Sequence, residues 1–273
     1  MLQVLKKFLS LHWENGRPIV LACSGGPDSK ALLYLLIEAK QFFNIDLHVA
    51  HIDHGWREES GAEADVLKKE VEMLGLNFHI KKLQNVAQKE GVARDGRYAA
   101  LTEIVHELDA QAILLAHQME DQAETVLKRI FEGASLTACK GMKEVSSHRE
   151  YVLWRPLLSV SKKELMEWLE NKNIGYFTDP TNLDAKHLRG RLRTSIFPFL
   201  EKEFGKSIVK NLCLLGKRAE KLEEHLIRAS QAEEFDDFVL EYVLKSRNPS
   251  ASREEIATLM KKVRDNSCIK SVK

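Results

Sequence analysis

Ser24-Gly25-Gly26-Pro27-Asp28-Ser29 is the stretch of this sequence with the strongest chemical signature. It joins an apolar run, Pro18 to Cys23 (PIVLAC), to a long apolar-faced segment, Ser29 to Phe43. Two glycines let the backbone turn sharply and come close to a ligand. A helix that starts there presents unpaired N–H groups and the positive end of its dipole, and two serine hydroxyls add donors. Such a pocket suits phosphate oxygens. Asp28 narrows the reading: a carboxylate beside phosphate repels it unless a Mg²⁺ ion lies between, which makes Asp28 the candidate metal ligand. The pattern is neither GxxxxGK[ST] nor GxGxxG. The plainer alternative is an ordinary strand–helix turn with Asp28 as a cap.

Further polar clusters stand out. His117, Asp121 and Glu124 are spaced i, i+4, i+7, so a helix over this stretch puts them on one face near its N-terminus. A solvated helix face is the bland alternative, with His117 ending a strand. His51 and His54 flank Asp53, which invites a metal reading, but HxDH spacing with no cysteine nearby speaks against zinc. The segment KHLRGRLR carries Lys186, Arg189, Arg191 and Arg193, either as a solvated face or as a contact for phosphates.

The elements that must position these groups alternate. Strands are expected over 18–23, 46–52, 77–83 and 111–116, with helices over 29–43, 58–74, 93–108 and 120–131 between and after them. This order predicts an α/β fold: a parallel sheet with helices on both faces. Ligands in such sheets bind beyond the carboxyl ends of the strands, and SGGPDS, HGWR and HQMEDQAET each directly follow a strand. Residues 140–149 read as a loop and 151–158 as a short strand ending in an Arg-Pro turn. Ser161 with Glu164 is a helix start. Beyond Leu188 the pattern is helical nearly to Leu244. A boundary near Gly205 divides a catalytic domain, 1–204, from a smaller, mainly helical C-terminal region, 205–273.

The bulk composition adds exclusions. Lys and Arg (41) nearly balance Asp and Glu (40) among 273 residues, so a nucleic-acid partner requires a local basic patch. The four cysteines, Cys23, Cys139, Cys213 and Cys268, form no CxxC pair, which argues against a zinc ribbon, a thioredoxin-like site or an iron–sulfur cluster. Free thiols suit the cytoplasm. No apolar run approaches the ~18 residues of a membrane span, and Met1 to Trp13 reads as a short amphipathic helix rather than a signal peptide.

The loop resembles the SGGxDS signature of the PP-loop ATP pyrophosphatases. Six further segments narrow the resemblance to the tRNA(Ile)-lysidine synthetase family. His51 to Arg57 is similar to HxDHGxR, Arg94 with Arg97-Tyr98 to ARxxRY, and Ala116 to Thr125 to AHHxDDQAET. Arg155 to Leu158 matches RPLL, Asp179 to Asn182 matches DPTN, and Arg189 to Arg193 with Pro198 resembles RNRxR…P. The matches keep family order over roughly residues 18 to 200. Gln118 and Glu120 depart from the usual histidine and aspartate, Gly190 stands where asparagine is common, and the C-terminal part is shorter than in many relatives.

The resemblance implies a fold like that of the adenine nucleotide α-hydrolases, and two steps of chemistry. The wobble cytidine of a CAU-anticodon isoleucine tRNA is adenylated from ATP with Mg²⁺, and free L-lysine then displaces AMP. Ser24, Gly25, Gly26, Pro27, Asp28 and Ser29 would hold the pyrophosphate part, while Asp53 and His54 shape the adenosine pocket. Asp28, keeping a Mg²⁺ near the phosphates, would be catalytic together with Arg97 and Arg193, the two arginines clamping phosphate. His117, Asp121 and Glu124 would recognise lysine and take its proton. Lys186, Arg189 and Arg191 would meet the tRNA. A 2-thiocytidine-type enzyme, an NAD synthetase-like domain and an inactive RNA-binding module are the rivals. The first lacks its CxxC pair here, and the second lacks the HxDHGxR and RPLL segments.

Overall fold

The computed structural model describes residues 1–55, 60–83, 90–148, 150–177, 188–229, 237–248 and 250–270. The strands β1 (Ile19–Ala22), β2 (Leu47–Asp53), β3 (Asn77–Lys82) and β4 (Ala112–Leu114) form where the apolar runs predict them. They alternate with helices α1 (Leu2–His12), α2 (Pro27–Ala39), α3 (Ser60–Met73), α4 (Glu90–Leu108) and α5 (Met119–Phe131). A hairpin follows, β5 (Val145–Ser147) and β6 (Val152–Trp154), and then α6 (Lys162–Asn171). The expected loop over 140–149 therefore contains an edge strand. Val145, Ser146 and Ser147 pair antiparallel with Trp154, Leu153 and Val152, and that partner, not any strong β-pattern of their own, makes them a strand.

Among the described residues the sheet order is β3-β2-β1-β4-β6-β5, parallel except for β5. Side chains alternate across it with period two. Ile19 and Leu21 of β1 face one way and pack with Leu47, Val49, Ala112 and Leu114. Val20 faces the other way, with Ala50 and Ile113. The first face is covered by Leu5 and Leu9 of α1, the leucines of α2, and Leu165 and Leu169 of α6. The second is covered by Leu101, Ile104 and Val105 of α4. Burial on both faces explains why β1 reads as a continuous apolar run rather than an alternating one. Each fully buried leucine is worth roughly 1.5–3 kcal/mol.

The chain leaves β1 for β2 and β3 on one side, while β4 and β6 lie on the other. The order thus reverses between β1 and β4. Sheets of this kind bind ligands at the carboxyl ends of the strands where the order reverses, and Ser24–Ser29 and Leu115–Gln118 follow those ends.

Chain contacts gather into two compact units, Met1–Lys128 with Gly141–Cys213, and Arg129–Lys140 with Leu214–Lys273. The first unit continues through α7 (Leu188–Arg191), a π-helical turn (Leu192–Ile196), α8 (Phe197–Phe204) and the start of α9 (Ile208–Ala229). Gly205, where the sequence suggests a boundary, ends α8 in left-handed backbone, and the division between units falls within α9. The second unit holds the rest of α9, α10 (Asp237–Arg247) and α11 (Arg253–Lys270), and it contains a cavity of about 400 Å³ walled by Ile130, Leu136, Leu215 and Leu222. Among the described residues no helix is long and apolar enough to cross a membrane.

Candidate active site

The Cys23 N–H donates to the Ala50 carbonyl at 2.8 Å, and beyond it the chain leaves the sheet. Gly25 then takes φ +80°, and a Cβ there would lie 2.5 Å from Cδ2 of Phe177. The Phe177 N–H donates to the Gly25 carbonyl at 2.9 Å, so the turn is held flat against this residue. Gly26 is the N-cap of α2 and has no side chain to fill that role; Pro27, which lacks an N–H, is the first helical residue. No side chain caps the amide N–H groups at this helix start. The Ser29 hydroxyl donates to the Gly26 carbonyl at 2.9 Å, and Ser24 Oγ accepts from the Gly26 N–H at 3.3 Å. Ser29 therefore braces the turn, while the Ser24 hydroxyl keeps its proton for Ser29 or for a ligand.

Three helix starts meet beside this loop. Asp28, in the first turn of α2, accepts a hydrogen bond from Lys162 Nζ at 2.7 Å. Lys162 opens α6, and its backbone N–H donates to Glu120 Oε2 at 2.9 Å. Glu120 lies in the first turn of α5. The start of α6 is itself fixed by a capping box between Ser161 and Glu164. Burial pushes the Asp28 carboxyl above the usual range, against the pull of Lys162. Burial likewise raises Glu120.

Gln118, a departure from the family pattern, has a structural use. Its Oε1 accepts from the Glu120 N–H at 2.6 Å, and its own N–H donates to Asp121 Oδ2 at 3.0 Å. This reciprocal pair closes the start of α5 and orients Asp121. One turn on, Glu124 is only 3% exposed. The two carboxylates converge on a single cation: Arg193 Nη2 donates to Asp121 Oδ1 at 2.8 Å and to Glu124 Oε2 at 3.3 Å, while its Nε donates to Glu124 Oε1. Arg189 Nε lies 3.9 Å from Glu124 Oε2. Burial pushes Glu124 up, and Arg193 pulls it back. Burial opposes the charge on Arg193, but Glu124 and Asp121 outweigh it and hold the guanidinium charged.

His117 lies between β4 and α5 in the field of several arginines. Burial, followed by the fields of Arg155, Arg97, Arg189 and Arg94, depresses its pKa to about 3. Arg155 is 5% exposed and is anchored through Nη1 to the Lys143 carbonyl at 2.8 Å. A neutral His117 is a hydrogen-bonding group, and a weak base, at neutral pH. The same property predicts a pH effect on stability. The folded pKa lies below the ordinary 6.5, so from pH 6.5 down to about 3 the unfolded chain binds the extra proton and folding weakens. Replacing His117 by Asn should make the fall in melting temperature over that window shallower than in the unaltered chain. Parallel melting curves from pH 7 to 4 would refute the assignment.

At the end of β2, His51 Nδ1 contacts the Cys23 carbonyl at 2.9 Å. Asp53 Oδ1 accepts from the Gly55 N–H at 2.8 Å. Burial pushes the Asp53 carboxyl up, but Gly55, Ser60 and Lys82 outweigh it and the net shift is downward. His54 is lowered by burial and then by Arg97, which acts on His117 as well. The Arg97 charge thus acts on residues at both the β2 end and the β4 end.

Most of the residues singled out by sequence lie at the carboxyl ends of three neighbouring strands: the loop 24–29 after β1, Asp53 and His54 at β2, and His117, Asp121 and Glu124 after β4, with Arg193 bound to the last two and the Arg97 charge acting on both histidines. Arg189 joins them through Glu124, while Arg191 is exposed on α7. Trp56, Arg57, Asp179 to Asn182 and Lys186 lie outside the described residues. Among the described residues no group of three or more His, Cys, Asp or Glu is arranged to hold a metal ion. Sequence reasoning missed Lys162 and Phe177. A lysine opening a helix, where the dipole disfavours a cation, was a readable signal for the first; Phe177 had none.

A glycine turn feeding an uncapped helix, set where the order of a parallel sheet reverses, is the arrangement of α/β proteins that bind nucleotide phosphates at a strand's carboxyl end. A family model described as a PP-loop domain matches residues 1–200. Within that class the chain belongs to the tRNA(Ile)-lysidine synthase family. It is 40% identical over 237 residues to the tRNA(Ile)-lysidine synthase of Chlamydia caviae, covering 85% of this chain and 73% of that protein. It is 43% identical over 216 residues to that of Chlamydia pneumoniae, covering 78% of this chain. The chain spans 66% of the length of the Chlamydia pneumoniae protein and 49% of that of Protochlamydia amoebophila. Among solved structures, a U34-tRNA thiolase, NcsA from Methanococcus maripaludis with its [4Fe-4S] cluster, aligns with a TM-score of 0.67. At 19% identity, over 81% of this chain and 77% of that one, it supports the fold alone.

Proposed function

We propose that this chain is a tRNA(Ile)-lysidine synthase that uses ATP and L-lysine to convert the wobble cytidine of a CAU-anticodon isoleucine tRNA to lysidine. In the first step the cytosine C2 oxygen attacks the α-phosphorus of ATP, the bond to the β-phosphate breaks, and pyrophosphate leaves. In the second, the ε-amine of lysine attacks C2 and the adenylate oxygen departs with AMP.

The observation that carries this reading is the Asp121–Glu124 pair, which already holds a basic side-chain end group beside the phosphate loop. Asp28 feels the charges of both Asp121 and Arg193, so the cation site and the loop share one electrostatic neighbourhood. Two carboxylates that bind the Arg193 guanidinium suit the ammonium of lysine. Lysine would compete with Arg193 there, and a displaced Arg193 would be free to meet phosphate, as would Arg97. The attacking amine must be neutral, although its ordinary pKa is about 10.4. Glu124, a buried carboxylate with a raised pKa, suits the lost proton better than His117. Neutral His117 would orient a polar group.

The loop amides and the Ser24 hydroxyl would hold the pyrophosphate part, with Asp53 and His54 toward the nucleoside. Asp28 offers one hard oxygen ligand, which fits a Mg²⁺ held chiefly by phosphates rather than by a protein cage. Such an ion would offset phosphate charge. Exposed Arg191, together with Arg189 and Lys186, would meet the tRNA backbone, and the helical region 205–273 would add to that contact. The setting is cytoplasmic.

Incubation with ATP, labelled lysine and the CAU-anticodon tRNA tests the reaction. Lysine should enter the tRNA with one AMP and one pyrophosphate released for each. Incorporation without AMP would refute the mechanism, and tRNA binding with no turnover would favour an inactive binding module.

A further inference from the structure

Lys162 has no role in the chemistry so far, yet its ammonium reaches the mouth of the phosphate loop. It lies 2.7 Å from Asp28 Oδ1, and the two side chains are 37% and 30% exposed. A single ion pair that keeps about a third of each side chain in solvent adds little to stability. Nor do α2 and α6 need it: Leu165 and Leu169 are fully buried with the α2 leucines, and the Lys162 N–H is independently tied to Glu120.

The electrostatic placement points the same way. Lys162 occupies the first position of α6, where the helix dipole disfavours a cation. It also lies beside the uncapped start of α2 and the start of α5, two further positive ends. Asp28 meets its ammonium, while Glu120 is occupied with the Lys162 backbone N–H. Phosphate oxygens can take up a charge placed at three converging helix starts, and the loop below is shaped for them.

We infer that Lys162 binds the outer phosphates of ATP and the pyrophosphate released from it, with Asp28 holding its ammonium ready at the loop until they arrive. This rests on the proposed function and adds to it a side chain from α6. In the adenylation step the pair of electrons from the breaking bond ends on the β-phosphate oxygen, and the Lys162 charge stabilises that leaving group.

Calorimetry on the full chain tests the inference, with pyrophosphate and AMP titrated separately in the presence of Mg²⁺. Lys162→Met should bind pyrophosphate at least about tenfold more weakly, the loss expected for one charged contact. AMP lacks the outer phosphates, so its affinity should stay within about twofold. Lys162→Arg keeps the charge and should recover most of the pyrophosphate affinity. Melting temperatures should match that of the unaltered chain; if Lys162→Met is unstable, Lys162→Gln takes its place with the same readouts. Unchanged pyrophosphate affinity in the Met variant overturns the inference alone. Equal losses for AMP and pyrophosphate also overturn it, by reducing Lys162 to a structural strut. An unaltered chain that binds neither ligand overturns the proposed function with it.

Discussion

Gly25→Val will lower ATP cleavage at least about a hundredfold, a loss equivalent to roughly 2.7 kcal/mol of transition-state stabilisation. Two costs combine. At φ +80° a side chain is strained, by about 1–2 kcal/mol. The new Cβ would also stand 2.5 Å from Cδ2 and 2.9 Å from Cε2 of the Phe177 ring, distances that no side chain tolerates. The ring has to move, and with it the Phe177 N–H that holds the Gly25 carbonyl. The turn then no longer presents the α2 amides in their present direction. Gly16→Ala is the matched control. Gly16 has φ +87° but nothing within 4 Å of an added Cβ, and it precedes β1, at the opposite end of the strand from the loop. It should lose stability from strain while releasing AMP and pyrophosphate nearly as fast as the unaltered chain. Normal release from Gly25→Val would show that the turn does not hold the phosphates.

Glu124→Gln should raise the KM for lysine at least about tenfold while leaving that for ATP within about twofold. The exchange keeps the side chain's size and one acceptor oxygen but removes the charge that meets Arg193 at two points. Asp121 would still hold Arg193 at 2.8 Å, so the guanidinium is not abandoned. Loss of one charge-assisted contact at a 3%-exposed position should also cost about 1.5–3 kcal/mol of stability, visible as a lower melting temperature. The kinetic split carries the argument, since a purely structural Glu124 would disturb lysine and ATP alike. An unchanged lysine KM would remove Glu124 from the substrate site.

What the sequence makes legible follows physical range. The run PIVLAC, two glycines and a helix start are local, and they foretell β1, the turn and α2 within a few residues. The Ser161–Glu164 capping box is equally local and stands as read. The i, i+4, i+7 spacing places Asp121 and Glu124 on one face of α5, but not their common partner, because Arg193 arrives from a helix some seventy residues further on. Lys162 reaches Asp28 across an even longer separation in sequence. The strand β5 escapes notice because three partly polar residues have no period to read; their partner across the hairpin decides the matter. His117 reads naturally as a proton acceptor until four arginines are found around it.

The bare amides at the start of α2 set a floor beneath every side-chain substitution around them. Peptide N–H groups persist through mutation of Ser24, Asp28 or Lys162, and they require neither a rotamer nor a protonation state. Variants of these residues should therefore form a graded series of weakened phosphate holding rather than a set of clean losses. Distorting the path of the main chain itself is the route to complete loss.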